Sequence, residues 1–151
     1  MPELQNILES KTKVRFQDCD PFNHLNNAAY LNYFMNARED QLIDNYGIDI
    51  YEMGRKEGKS WVVGSNQIAY LRPTFLMEEI VIQSQLLQFG DSHLLVELRM
   101  LNSKKTEVKA IMWSTFVHFN LPQQKREIHS EEFMELFKNV VNPVAEASFE
   151  K

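Results

Sequence analysis

From Lys11 to Asp18 the chain alternates, with Val14 and Phe16 on one side and Lys13, Arg15 and Gln17 on the other. That is the period-2 pattern of a half-buried strand. From Asn27 to about Tyr46 the pattern changes: Tyr30, Leu31, Phe34, Met35, Ala37, Leu42 and Ile43 recur at helical spacing, with an Asn able to cap the start and Gly47 placed to end it. The first half of this helix is apolar around much of its circumference, so it is expected to be wrapped by other structure. Trp61 to Leu71 reads as a strand, interrupted by Arg72-Pro73-Thr74. Glu79 to Phe89 sets Ile80, Ile82 and Leu86 against Glu79, Gln83 and Gln85, and ends at the turn signal Gly90-Asp91-Ser92. His93 to Leu101 alternates again, and the turn Asn102-Ser103-Lys104-Lys105 leads to a long strand from about Thr106 to Asn120.

That last strand is apolar on both faces: Val108, Ala110, Met112 and Phe116 on one, Ile111, Trp113, Val117 and Phe119 on the other. Two-sided burial needs a second covering layer, either a short C-terminal helix over Ser130 to Val141 or another subunit. The expected order is one strand, one long helix, four strands in an antiparallel meander and a small helix. This is an α+β domain with one helix in the concavity of one sheet.

The chain has 151 residues, 44% hydrophobic and 25% charged, which suits a single domain over 1–151 with a sizeable core. A net charge of -5, with no basic stripe interleaved with aromatics, argues against nucleic acid as a partner. The N-terminal stretch lacks a signal-peptide core, and no apolar run approaches the length of a membrane helix, so no membrane partner is expected. A single cysteine, Cys19, excludes an intramolecular disulfide and a multi-cysteine zinc site, which suits the cytoplasm.

Chemistry concentrates in Asp18-Cys19-Asp20-Pro21-Phe22-Asn23-His24-Leu25-Asn26-Asn27, at the strand-to-helix junction. A calcium loop beginning at Asp18 would need an oxygen ligand, a glycine and a glutamate where Phe22, Asn23 and Ala29 stand. No metal is expected. Cys19 lies between two carboxylates that oppose its ionisation, so it reads as a packing residue rather than a nucleophile. His24 reads more readily as structural than as a base. A carboxylate beside a helix start suits acyl transfer to water, because the free N–H groups of the first turn stabilise negative charge. On local chemistry alone, a purely structural turn capped by Asp18, Asn26 and Asn27 fits equally well.

The run "VRFQDCDPFNHLNNAAYLNYFMNARED" resembles the opening motif of the hotdog-fold thioesterases of the 4-hydroxybenzoyl-CoA and acyl-CoA thioesterase type. The similarity continues more loosely through "YLRPTFLMEEIVIQSQL" and the later strands. It implies an antiparallel sheet wrapped around a long central helix, homodimers that join their sheets, and in many relatives homotetramers, for which Ile111, Trp113, Val117 and Phe119 offer a contact face. It also implies hydrolysis of an acyl-CoA, or of an acyl carrier protein thioester, without a cofactor. The family's catalytic carboxylate falls on Asp20, with His24, Asn26 and Asn27 shaping the site. A backbone N–H from the neighbouring chain, in the stretch Trp61 to Ser65, would meet the acyl carbonyl. Arg72, Lys104 and Lys105 are candidates for the CoA phosphates. Asn23 stands where relatives often carry Gly and must tolerate a left-handed backbone. Pocket depth would depend on Phe34, Trp61, Tyr70 and Phe75. The alternatives left open are a hotdog dimer that binds acyl thioesters or is purely structural, and a dehydratase on the same fold.

Overall fold

In the computed structural model, residues 4–143 are described, and the core lies between one face of a curved sheet and a helix that crosses it. The strands are β1 (Ile7–Lys13), β2 (Lys59–Tyr70), β3 (Glu79–Phe89), β4 (His93–Asn102), β5 (Val108–Asn120) and a short β6 (Lys125–Arg126). Helix α1 spans Tyr30–Tyr46, α2 Ile50–Glu57 and α3 Glu131–Val140. Every strand pairing is antiparallel, and the order across the sheet is β1-β3-β4-β5-β2, with β6 added to β5.

The helix-in-sheet α+β architecture agrees with the pattern of the sequence, but four expectations need correction. First, β1 ends at Lys13, and Phe16–Asp18 forms a single 3-10 turn, so the strand expected over Lys11–Asp18 lies earlier. Val14 is fully buried, whereas Phe16 turns out to solvent at 79% exposure, because the chain has already left the sheet. Second, the meander covers only β3, β4 and β5. Strand β2 crosses to the far edge and pairs with β5, with Trp61 opposite His118 and Tyr70 opposite Ala110. Third, α2 was not anticipated, although its signals are present: Asp49 accepts from the N–H groups of Tyr51 and Glu52, and Gly58 closes it. Fourth, α1 is not wrapped on all sides by other structure. Its inward face is Tyr30, Phe34, Ala37, Arg38 and Gln41, while Leu31 and Ile43 are exposed.

Gly47 ends α1 at φ 67°, with its N–H returned to the Ile43 and Leu42 carbonyls, as its position in the sequence implied. Phe34, fully buried, packs with Val14, Ile82, Leu98 and Met112; truncating such a ring to Ala costs about 3–5 kcal/mol. Helix α3 is capped by Ser130, whose Oγ accepts from Phe133 N at 3.2 Å. Its Phe137 and Val140 enter the same core as α1, so α3 covers the concave face rather than the outer strip of β5. On the outer face the buried Glu97 carboxylate accepts from Gln85 Nε2, Arg99 Nε and Trp113 Nε1 at 2.7–2.9 Å, so part of that strip is a polar network. No described helix is long and apolar enough to cross a membrane.

Candidate active site

Asp20 occupies the loop between β1 and α1, and its own backbone closes that loop. Asp20 N donates to the His24 carbonyl at 2.8 Å, and Asn23 N donates to the Asp20 carbonyl at 3.0 Å. Carboxylate oxygen Oδ1 accepts from Phe22 N at 2.9 Å and from His24 N at 3.1 Å. Oδ2 accepts no hydrogen bond from any described residue. One oxygen is therefore held while the other is available.

Neighbouring loops fix this arrangement through the main chain. Leu25 N donates to the Thr74 carbonyl at 2.7 Å, Leu76 N to the Asn23 carbonyl at 2.9 Å, and Asn26 N to the Asp18 carbonyl at 2.9 Å. Asn23 has φ 62°, the left-handed conformation that an amide side chain tolerates better than most. The loop 73–78 is itself anchored by the buried Lys109, whose ammonium donates to the Pro73 carbonyl at 3.0 Å, pairs with Glu78 at 3.3 Å and lies 5.4 Å from the Phe75 ring centre.

The residues expected at the site divide into those brought together and those set apart. His24 stands beside Asp20, but its ring packs edge-on against Phe75 at 5.1 Å and makes no side-chain hydrogen bond among the described residues. Asn26 caps the turn before α1, its Oδ1 accepting from Ala28 N at 2.9 Å. Asn27 offers its carbonyl to Tyr70 Oη at 3.2 Å, which ties the start of the helix to the end of β2. Arg72, exposed next to that contact, pairs with no carboxylate among the described residues. Ser65 lies elsewhere, midway along β2, with its Oγ 2.6 Å from Thr115 Oγ1. Lys105 is paired with Glu9 at 2.7 Å.

Asp18 supports the loop. Its Oδ2 accepts from Tyr33 Oη at 2.6 Å, and Arg15 N donates to the same hydroxyl at 3.1 Å. Burial and the Asp18 carboxylate push the Tyr33 hydroxyl up to about 12. The Cys19 thiol is raised by burial, then by the charges of Asp20 and Asp18, and its Sγ donates weakly to the Arg15 carbonyl at 3.4 Å. It is a packing thiol.

Two features went unread in the sequence. The β2–β5 register shifts between Val63 and Ser65, a bulge at Gly64 where an added Cβ would come within 3.2 Å of Thr115 Oγ1. Glycine inside the strand was its only signal. An apolar cavity of about 240 Å³ also opens between α1, β2 and α3, lined by residues that include Met35, Arg38, Leu42, Trp61, Phe116 and Phe137. Of the four residues expected to set pocket depth, Trp61 alone lines it; Phe34 is core, Tyr70 holds Asn27 and Phe75 backs His24.

Residues 14–137 match the thioesterase-like superfamily. The chain is 31% identical over 135 residues to the long-chain acyl-CoA thioesterase FadM of Escherichia coli (strain K12), covering 89% of this chain and 99% of that one. It superposes on the solved YbaW probable thioesterase of Escherichia coli with a TM-score of 0.75 at 28% identity, covering 89% and 99% of the two chains. The DHNA-CoA thioesterase of Staphylococcus aureus, at 16% identity and TM-score 0.80 over 89% and 90%, shares the fold.

Proposed function

The chain belongs to the thioesterase-like superfamily and has the hotdog fold, and from that membership we propose that it hydrolyses an acyl-CoA thioester to the free acid and CoA, with Asp20 as the reacting carboxylate. The observation that carries the assignment is the unequal treatment of the two Asp20 oxygens: Oδ1 is bound by two backbone N–H groups and Oδ2 is unengaged among the described residues. Fixing Oδ1 sets the direction of Oδ2 without blocking it, which is what a reacting carboxylate requires. Oδ2 either attacks the thioester carbonyl, expelling CoA thiolate and leaving an acyl anhydride for water to cleave, or takes a proton from the attacking water. In both routes the carbonyl oxygen gains negative charge that a backbone N–H must meet.

That donor is assigned to a second copy of the chain. Strand β2 ends the sheet, is 12 residues long, and is exposed from Val62 to Gln67. A bare edge of that length, about 40 Å, is a ready surface for pairing. Joining β2 antiparallel to itself brings the Tyr70 end of one strand beside the Lys59 end of the other. Asp20 lies near the Tyr70 end, because Tyr70 holds Asn27. The cavity lies near the other end, at Trp61 and Val63. Pairing therefore sets the carboxylate of one copy at the cavity of the other, with the Gly64–Ser65 bulge between them as the source of the N–H. Arg72, next to the Asn27 contact, is assigned to the CoA phosphates, and His24 and Asn26 to holding the loop.

Release of free thiol from a panel of short, long and aromatic acyl-CoAs, for the intact protein and for Asp20→Asn, tests this reading. Turnover is expected to fall by about 10²-fold or more in the variant. Full turnover retained in Asp20→Asn would place the chemistry on another group.

A further inference from the structure

The cavity beside α1 is walled mostly by apolar side chains, and of the two charged residues that line it, Arg38 and Glu39, Arg38 is the buried one. Arg38 is 9% exposed and lines the cavity wall. Its Nη1 donates to Ser84 Oγ at 2.8 Å, its one hydrogen bond among the described residues, and no described carboxylate pairs with it. The polar groups behind it are occupied: Ser84 Oγ donates to Gln41 Oε1, and Gln41 Nε2 donates to Ser10 Oγ at 2.8 Å and to the Ile82 carbonyl at 3.0 Å. Every member of that chain except Arg38 is neutral. Glu39, also on the wall, accepts from the Tyr51 hydroxyl.

Buried guanidinium groups are ordinarily paired, because an uncompensated charge in a low-dielectric interior is costly. Burial pushes the Arg38 guanidinium down to about 10, still charged at neutral pH. Arg38 borders a space large enough for part of an acyl group, and its guanidinium has donors beyond the one that Ser84 receives. Leu42, Trp61, Phe116, Phe137 and Val140 supply apolar walls along the rest of it.

We propose that Arg38 is a specificity determinant of the acyl pocket, and that the substrate this pocket selects carries an oxygen acceptor, a carboxylate or hydroxyl, on the distal part of its acyl group. This rests on the thioesterase reading above. An unsubstituted chain leaves the guanidinium donors other than the one to Ser84 without acceptors, whereas an oxygen placed there provides one. Sites built around a polar group discriminate against the analogue that lacks it far more strongly than apolar pockets discriminate by size.

The test is a set of acyl-CoAs matched in chain length and ending in methyl, hydroxyl or carboxylate, assayed with the wild-type protein and with Arg38→Met. The wild type is expected to favour an oxygenated chain by about ten-fold or more in kcat/KM. Arg38→Met is expected to reverse that order and to melt no lower than the wild type, since it removes an unpaired buried charge. Preference for carboxylate identifies a counterion for Arg38, and preference for hydroxyl a neutral acceptor. Equal ratios in the two proteins, or a wild-type preference for the methyl-ended chain, overturn the proposal. Thermal shifts with the corresponding free acids separate the two readings. Selective stabilisation by oxygenated acids without hydrolysis keeps the pocket assignment and removes the thioesterase one. Hydrolysis without selectivity does the reverse.

Discussion

Tyr33 Oη donates to Asp18 Oδ2 at 2.6 Å, so a residue one turn inside α1 holds the loop that precedes the helix. Asp18 in turn receives Asn26 N on its carbonyl. The loop bearing Asp20 is thus fastened to the helix through a neighbour two residues away. Tyr33→Phe removes both the bond to Asp18 and the acceptor for Arg15 N, at an expected cost of about 1–2 kcal/mol in denaturant unfolding. Thiol release should show kcat falling more than KM rises, because substrate contacts are untouched while the carboxylate loses its support. An unchanged kcat would remove Asp18 and Tyr33 from the positioning of Asp20.

Cys19 sits one residue from the proposed reacting carboxylate without sharing its role. Its thiol is raised by burial and by Asp20 and Asp18, so it should alkylate more slowly at neutral pH than a free cysteine in solution. Cys19→Ala should retain turnover within about three-fold, its cost being limited to lost packing of a small apolar side chain. Rapid alkylation accompanied by complete loss of activity would contradict this.

His118 and His129 stack at 5.1 Å between ring centres inside a cage that includes Trp61 and Phe133. His129 is fully engaged, with Trp61 Nε1 donating to its Nε2 at 3.0 Å and its Nδ1 2.9 Å from the Gly90 carbonyl. Neither ring nitrogen of His118 has a well-formed hydrogen bond. Burial lowers both imidazoles below the ordinary histidine range, although the Glu127 and Ile128 backbone opposes this at His118 and Gly90 at His129. The unfolded chain therefore takes up protons first on acidification. Their contribution is fully present above about pH 6.5 and declines as pH falls below it. The melting temperature should drop between about pH 7.5 and 5.5. His118→Leu should flatten that slope and add up to about 1 kcal/mol at neutral pH, by replacing an unsatisfied polar group. An unaltered slope would exclude His118 as its source.

Val62 lies exposed on the free edge strand. Val62→Lys should weaken the proposed pairing with a second copy by about 1 kcal/mol, because lysine on an edge disfavours strand addition. Sedimentation would read the shift towards monomer, and turnover per chain should fall in step with it. A monomeric, fully active variant would show that one copy holds a complete site.

The parts of this molecule legible in the sequence are those set by local pattern. Strands β3 to β5 are antiparallel neighbours, so their alternation and turns define both the elements and their order. Helix α1 shows its period and its Gly47 stop. The position of β2 is a non-local fact: the pairing of Lys59–Tyr70 with Val108–Asn120 is written in neither segment. Phe16 misleads because alternation cannot show where a chain leaves its sheet. Arg38 and Gln41 were unreadable as core because their partners, Ser84 and Ser10, lie 46 and 31 residues away along the chain. Asp20 was singled out by its resemblance to a known motif. The asymmetry of its two oxygens emerges only when His24 folds back on it.

The loop that holds Asp20 is anchored by main-chain groups: Asp20 to His24, Asn23 to Leu76, Leu25 to Thr74. Such bonds are made by the backbone and constrain side-chain identity chiefly at Asn23, where φ is 62°. Phe22, at 79% exposure, is the side chain near them that can change most freely while the carboxylate stays where it is. A substitution at Phe22 therefore alters the mouth of the proposed site without moving the backbone that carries Asp20.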